Sequence, residues 1–242
     1  MEFFLAIFFV LFYYIRPQDW VPGLGGLNLV KPIIAIWVVV LFTSRSRGSP
    51  MPGILKTPHD WIILTYWIYV VYATPDWTAA LTGFLSLVTF YALTVQSVNS
   101  WPRLQSYLKW WIIALTIVAI LANLIPLGID LTGGQERTDR FFGRLTLGTW
   151  LHHNPNALAH SVVTVIPASF FLFFWRGTVI GRLVVFPIVS GLAFWCVFQT
   201  QSKGAFLVWG ILVASVFVIG RPKSVQIAAI ATAMALGVGA LS

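Results

Sequence analysis

The sequence predicts an all-α fold, a polytopic membrane helical bundle of about nine transmembrane helices (eight to ten) with a cytoplasmic N-terminus. Three observations carry this. Hydrophobic residues make up 58% of the 242 and charged residues only 9%, with a mean hydropathy of +0.85, whereas a soluble domain carries roughly 25% charged residues. The apolar residues fall in blocks of about 13 to 21 between short polar turns, and about 20 are needed to cross the hydrocarbon as a helix. Basic residues concentrate in alternate loops, which sets the orientation. Helices are the expected element because they satisfy their own backbone hydrogen bonds in lipid.

Taken in order, helices are expected at 3–15, 29–43, 61–74, 78–97, 110–127, 155–175, 183–199, 204–220 and 225–241. The opening "MEFFLAIFFVLFYYIRPQDW" has no basic leader and no small-residue cleavage site, so it reads as a retained first helix and not as a removed signal peptide. The first and third blocks are short. At about 1.5 Å per residue such a block reaches only about 20 Å, so its flanks extend it or it lies partly in the interface. Arg45, Arg47 and Lys56 separate the second block from the third, Arg103 and Lys109 the fourth from the fifth. Arg176 and Arg182 separate the sixth from the seventh, Arg221 and Lys223 the eighth from the ninth.

Those loops hold nine of the fifteen basic residues, and their side is expected to be cytoplasmic. Arg16, Lys31, Arg137, Arg140, Arg144 and Lys203 fall on the other side. The formal charge of +8 is therefore mostly a topology signal, and no nucleic-acid partner is expected. Residues 1–242 read as a single membrane domain without repeats or low-complexity tracts. Cys196 stands alone in an apolar block, so no internal disulfide is possible.

Polar chemistry gathers in the longest loop, 128–154, on the outer side: "GIDLTGGQERTDRFFGRLTLGTWLHHN". The adjoining "NPNALAH" reads as a helix start, with Asn154 as N-cap and Pro155 at the first position, where its missing N–H costs nothing. The positive end of that helix then points outward beside Arg140 and Arg144, an arrangement suited to phosphate or pyrophosphate. Asn156 and His160 are four apart and share a face. Pro167 is expected to bend the helix by freeing a carbonyl one turn back. An ordinary solvated loop is an equally good reading of the same composition. No metal site is expected, since the histidines have no thiolate partner and no suitable carboxylate spacing.

A second polar break, "FQTQSKGAFLVW" at 198–209, falls on the same side. Ser202 can cap the next helix, which puts Lys203 at its first position, where a cation opposes the dipole. An anion shared by the two helix starts would compensate it, and snorkelling to water is the alternative. One ion pair at about 4 Å and an effective dielectric near 20 amounts to about 4 kcal/mol before desolvation. In a third stretch, "YYIRPQDWVPGLGG" at 13–26, Arg16 and Asp19 either close a Pro-containing turn within an aromatic belt or leave Arg16 facing the outer cavity.

Together these stretches resemble the O-antigen ligase and O-antigen polymerase superfamily of bacterial inner-membrane glycosyltransferases. Asn154, Pro155, Asn156, Leu158 and Ala159 are similar to its Asn-Pro-Asn element with a following Leu-Ala. Ser202, Gly204 and Ala205 are similar to its Ser-Arg-Gly-Ala, with Lys203 in place of the arginine. Charge survives that change and bidentate phosphate geometry does not. "YYIRPQDW" further resembles the branch of O-glycosylation ligases associated with exosortase A systems.

The resemblance implies an inverting, metal-independent transfer, without a cofactor, of a glycan from undecaprenyl pyrophosphate to an acceptor hydroxyl on the periplasmic side. The implied partners are the undecaprenyl-pyrophosphate-linked glycan, an acceptor lipid or protein, and membrane lipids. It places Arg140, Arg144, Lys203, Asn154, Asn156, His160 and Arg16 around the lipid pyrophosphate and glycan, and assigns no catalytic residue. Family members continue past the matched region into a large outer loop with a catalytic histidine and further helices, whereas this sequence stops at "AMALGVGALS". The expectation is a C-terminally truncated ligase, or one completed by a partner chain, and activity is not expected of the isolated 242 residues. A transporter or flippase of lipid-linked or anionic cargo, or an inactive scaffold subunit of a glycan assembly complex, is the alternative that a bent helix and a polar cavity also allow.

Overall fold

A computed structural model describes residues 1–25, 29–46, 56–175 and 177–218, and among them all regular structure is helical. The helices are α1 (Glu2–Ile15), α2 (Val30–Ser46), α3 (Pro58–Ala73), α4 (Trp77–Ser97), α5 (Trp101–Leu124), α6 (Gly134–Arg140), α7 (Pro155–Val163), α8 (Val165–Ser169), α9 (Phe186–Thr200) and α10 (Lys203–Val218). The helix expected at 225–241 lies outside the described residues. Among the described residues, three stretches are long and apolar enough to cross a membrane: Trp101–Leu127, Pro155–Trp175 and Gly181–Thr200. Val30–Ser44, Leu87–Ser97 and Lys203–Leu212 are shorter apolar helices.

Two starts differ from the sequence expectation. The third helix begins at Pro58, not 61, because Thr57 and Asp60 form a reciprocal cap: Asp60 N–H donates to Thr57 Oγ1 (3.4 Å) and Thr57 N–H to Asp60 Oδ2 (3.0 Å). The fifth begins at Trp101, not 110. Arg103 does not end the helix, and its Nη1 bonds back to the Ser97 carbonyl (3.0 Å) and Asn99 Oδ1 (3.2 Å).

The described residues form two compact units. The first comprises Met1–Val10 and Asn28–Tyr107. Its packing centres on fully buried Trp37, whose indole donates to Ser97 Oγ (2.8 Å), with Phe9 set between Trp37 and Phe90 at ring separations of 5.8 and 4.8 Å. Buried Glu2 is satisfied by Ser44 Oγ (3.2 Å) and Arg103 Nη1 (3.5 Å).

The second unit comprises Leu11–Leu27 and Leu108–Ser242. Its core runs along α5, α7, α8, α9 and the start of α10 through Leu115, Ala119, Leu158, Val162, Cys196 and Ala205. The bend expected at Pro167 is realised as a break. Pro167 has no N–H to offer the Val163 carbonyl, and the chain leaves α7 at Thr164, forms α8, and widens into a π-helical turn at Phe170–Trp175.

The 128–154 segment is folded, with its own helix and core. Leu145 and Leu147 are buried against the helix ends, and Leu145 N–H donates to the Gln199 carbonyl (3.1 Å). Asp130 starts α6: its Oδ1 accepts from the N–H groups of Thr132 and Gly134 (both 3.0 Å) and its Oδ2 from that of Gln135 (2.8 Å). Burial works to raise the Asp130 carboxyl, yet those backbone donors outweigh it and hold the group below its ordinary value. Gly148 lies so close to the Thr132 carbonyl that a Cβ there would come within 1.6 Å of the oxygen, so no other residue fits.

Candidate functional site

The site sits where three chain segments meet inside the second unit: the end of the 128–154 segment, the start of α7, and the sharp turn from α9 into α10. Arg144 fastens them. Its Nε donates to the Thr200 carbonyl at the end of α9 (3.0 Å) and its Nη2 to Asn156 Oδ1 in the first turn of α7 (2.9 Å). A guanidinium has a fixed fork of donors and can hold two elements at a set separation.

Asn154 caps α7 as expected, its Oδ1 accepting the Asn156 N–H (2.8 Å), with Pro155 at the first position. Ser202 caps α10, its Oγ accepting the Ala205 N–H (3.4 Å). Between α9 and α10 the chain reverses through Gln201, held in the left-handed region at φ 51°. That conformation costs a non-glycine residue roughly 1–2 kcal/mol, and here it aims the start of α10 back toward α7.

Arg144, Asn156, His160, Gln201, Ser202, Lys203 and Gly204 line one cavity of about 450 Å³. The His160 ring lies beside Gly204, where a Cβ would meet Cε1 and Nε2 at 3.6 Å. Lys203 is exposed, and among the described residues neither it nor Arg144 has a carboxylate partner. The first amides of a helix have no intrahelical acceptor, and those of α10 belong to the lining residues Lys203 and Gly204. Two cations at a pair of helix starts, with no carboxylate partner among the described residues, are an arrangement suited to an anion of two or more charges.

The remaining residues singled out from the sequence lie elsewhere. Arg140, in the last turn of α6, pairs with Glu136 one turn back and is not among the residues lining this cavity. Formation of α6 is the cause, since it puts the two charges at i and i+4. Arg16 is held by Asp19 through two bonds (2.6 and 3.2 Å) and stacks 5.2 Å from the Trp150 ring, which is the closed-turn alternative. Asp19 Oδ2 also accepts the Trp150 N–H (2.8 Å), so "YYIRPQDW" fastens the 128–154 segment instead of lining the cavity. Asn154 serves as the cap, its oxygen already engaged.

His152 and His153 diverge. His153 Nδ1 bonds the Trp150 carbonyl at the surface, whereas His152 is fully buried, with Nδ1 near Thr149 Oγ1 (3.3 Å). His152 Nε2 has no hydrogen-bond partner among the described residues. Burial, reinforced by the charge of Arg16, pushes this imidazole down to about 4, so it is neutral at physiological pH.

Sequence reasoning missed Gln201, whose left-handed turn no glycine announces, and Thr200, which acts through its carbonyl. The pairing of Arg144 with Asn156 joins residues 12 apart across a loop and has no periodic signature. Comparison with known proteins gives no match, whether with family models, curated proteins or solved structures.

Proposed function

We propose that this protein handles an undecaprenyl-pyrophosphate-linked glycan in the manner of an O-antigen ligase, in a bacterial inner membrane and at the periplasmic face. The observation that carries this reading is the single cavity lined by Arg144, Asn156, His160 and Lys203, at two helix starts and without a carboxylate of its own. A pyrophosphate in that cavity would meet two fixed positive charges and the amide end of α10. Support for the sidedness comes from the excess of basic residues in the opposite loops. In this reading the three long apolar stretches and the shorter helices belong to a bundle of about nine spans with a cytoplasmic N-terminus.

In the reaction, an acceptor hydroxyl oxygen attacks the anomeric carbon of the lipid-linked glycan from the face opposite the pyrophosphate. The anomeric carbon–oxygen bond breaks, and its electron pair leaves on undecaprenyl pyrophosphate. The acceptor proton passes to a base. Arg144 and Lys203 stabilise the charge that accumulates on the leaving group, and the configuration inverts.

Lys203→Ala is the direct test. In membranes containing the complete gene product, lipid-linked glycan and acceptor, it is expected to lower transfer about tenfold, corresponding to about 1.4 kcal/mol of lost leaving-group stabilisation. Membrane levels of the protein should be unchanged. Transfer at the wild-type rate would remove Lys203 from the site and with it the paired-helix reading.

A further inference from the structure

Beside the anion cavity lies a second one of about 550 Å³, lined by residues that include Gln135, Asp139, Phe198, Gln199 and Phe206, and sharing Gln201 and Lys203 with the first. We propose that this second cavity is a subsite for a neutral pyranose carried on the diphosphate, a proposal that rests on the function given above. The shared wall is the first reason. Because Gln201 and Lys203 line both cavities, a diphosphate held by Arg144 and Lys203 would lie beside the second cavity, with that cavity open to one of its substituents.

The lining supplies the second reason. Phe198 is half exposed and held in place by stacking on Trp195 (5.7 Å, 18° between planes) and an edge contact with Phe206 (6.2 Å, 82°). Opposite kinds of group come from α6, where Gln135 Nε2 donates to Asp139 Oδ1 (3.0 Å). Asp139 has no cation within salt-bridge distance among the described residues, and its carboxylate offers acceptor sites beyond the one Gln135 uses. The Gln199 amide nitrogen is spent on Asn123 Oδ1 (3.1 Å), which leaves its carbonyl oxygen as an acceptor.

A pyranose matches this arrangement, with C–H groups on its faces for an aromatic ring whose π-face is electron-rich, and hydroxyl donors around its rim for carboxylate and amide oxygens. A second anionic group would be repelled by Asp139. A polyprenyl chain would cover the acceptor sites of that carboxylate that Gln135 leaves open and give them no donor, which is costly. The mixed lining therefore favours a polyol over the other two substituents that a membrane diphosphate could bring here.

The test uses the full chain in lipid nanodiscs and two probes. Saturation-transfer NMR is recorded with a panel of methyl glycosides: a hexose, a 6-deoxyhexose, an N-acetylhexosamine and a pentose. At least one is expected to receive saturation at its ring C–H protons, falling at least about fivefold in Phe198→Ala and in the isosteric Asp139→Asn, about 1 kcal/mol for the lost contact by the relation between affinity and free energy. Inorganic pyrophosphate is titrated into the same samples and is expected to bind Asp139→Asn as it binds wild type. Absence of saturation for every glycoside, or equal saturation in wild type, Phe198→Ala and Asp139→Asn, overturns the subsite. Glycoside binding without pyrophosphate binding would sustain the subsite while rejecting the function above, and the reverse would reject the subsite alone.

Discussion

Arg144→Ala is expected to lower glycan transfer by about 100-fold or more, the largest effect of any single substitution around the cavity. Two losses add. The guanidinium would contribute charge to the proposed pyrophosphate site, and it ties the Thr200 carbonyl to Asn156 Oδ1, fixing the end of α9 relative to the start of α7. Hydrogen bonds from a charged donor are worth about 1.5–3 kcal/mol each, so deleting the side chain removes both the ligand contact and the geometry that presents Lys203. Arg144→Lys separates the two. It restores a cation but cannot reach both acceptors from one ammonium, so pyrophosphate affinity should recover in part. Amide hydrogen exchange across 199–204 should remain faster than in wild type. Transfer and exchange both at wild-type levels in Arg144→Ala would show that Arg144 neither binds nor fastens.

Acid should loosen the 128–154 segment as the pH falls from about 6.5 toward about 4. His152 is buried at about 4 in the folded chain, against about 6.5 when exposed. Between those values the opened segment binds more protons than the closed one, so stability rises with pH across the window. The contribution is complete above about pH 6.5 and is lost progressively as the pH falls toward about 4, at up to about 1.4 kcal/mol per unit and about 3 kcal/mol in all. Hydrogen exchange of the Leu147 and His152 amides, which donate to the carbonyls of His152 and Thr149 at 3.0 and 3.2 Å, reads this directly. After correction for intrinsic rates, the opening free energy should be about 2 kcal/mol lower at pH 5 than at pH 7.5. His152→Leu should flatten the dependence. A flat profile in wild type would mean that His152 is not held neutral in the segment.

The parts of this fold legible in the sequence are those governed by local rules. Hydropathy blocks locate α1, α2, α4 and α9 to within a few residues of their observed ends, because lipid-facing length and apolarity are properties of contiguous sequence. The cap at Asn154, the proline break near Thr164 and the Ser202 start of α10 are equally local. The Thr57-to-Asp60 box is a local capping pattern four residues long that precedes the apolar block, so hydropathy alone starts the helix three residues late.

What escaped depends on contacts between distant residues. The 128–154 segment is polar and contains two glycines in succession, which reads as a loop; Asp130 turns it into a helix by collecting backbone N–H groups that only a folded arrangement delivers. That helix diverts Arg140 to Glu136 and so removes it from the anion cavity. Arg16 is withdrawn similarly, by Asp19 and Trp150, the latter more than a hundred positions away in the chain. Of the four basic residues assigned to the site from sequence, the two that line the cavity are those with no carboxylate partner among the described residues, Arg144 and Lys203.

The central claim is that Arg144 and Lys203 form one anion receptor, and calorimetric titration of the nanodisc-embedded protein with inorganic pyrophosphate tests it most directly. Saturable binding is expected, weakening as salt rises because the cavity is open to solvent, and at least about tenfold weaker in Lys203→Ala, about 1.4 kcal/mol. Absence of saturable binding, or equal affinity in wild type and Lys203→Ala, would contradict it.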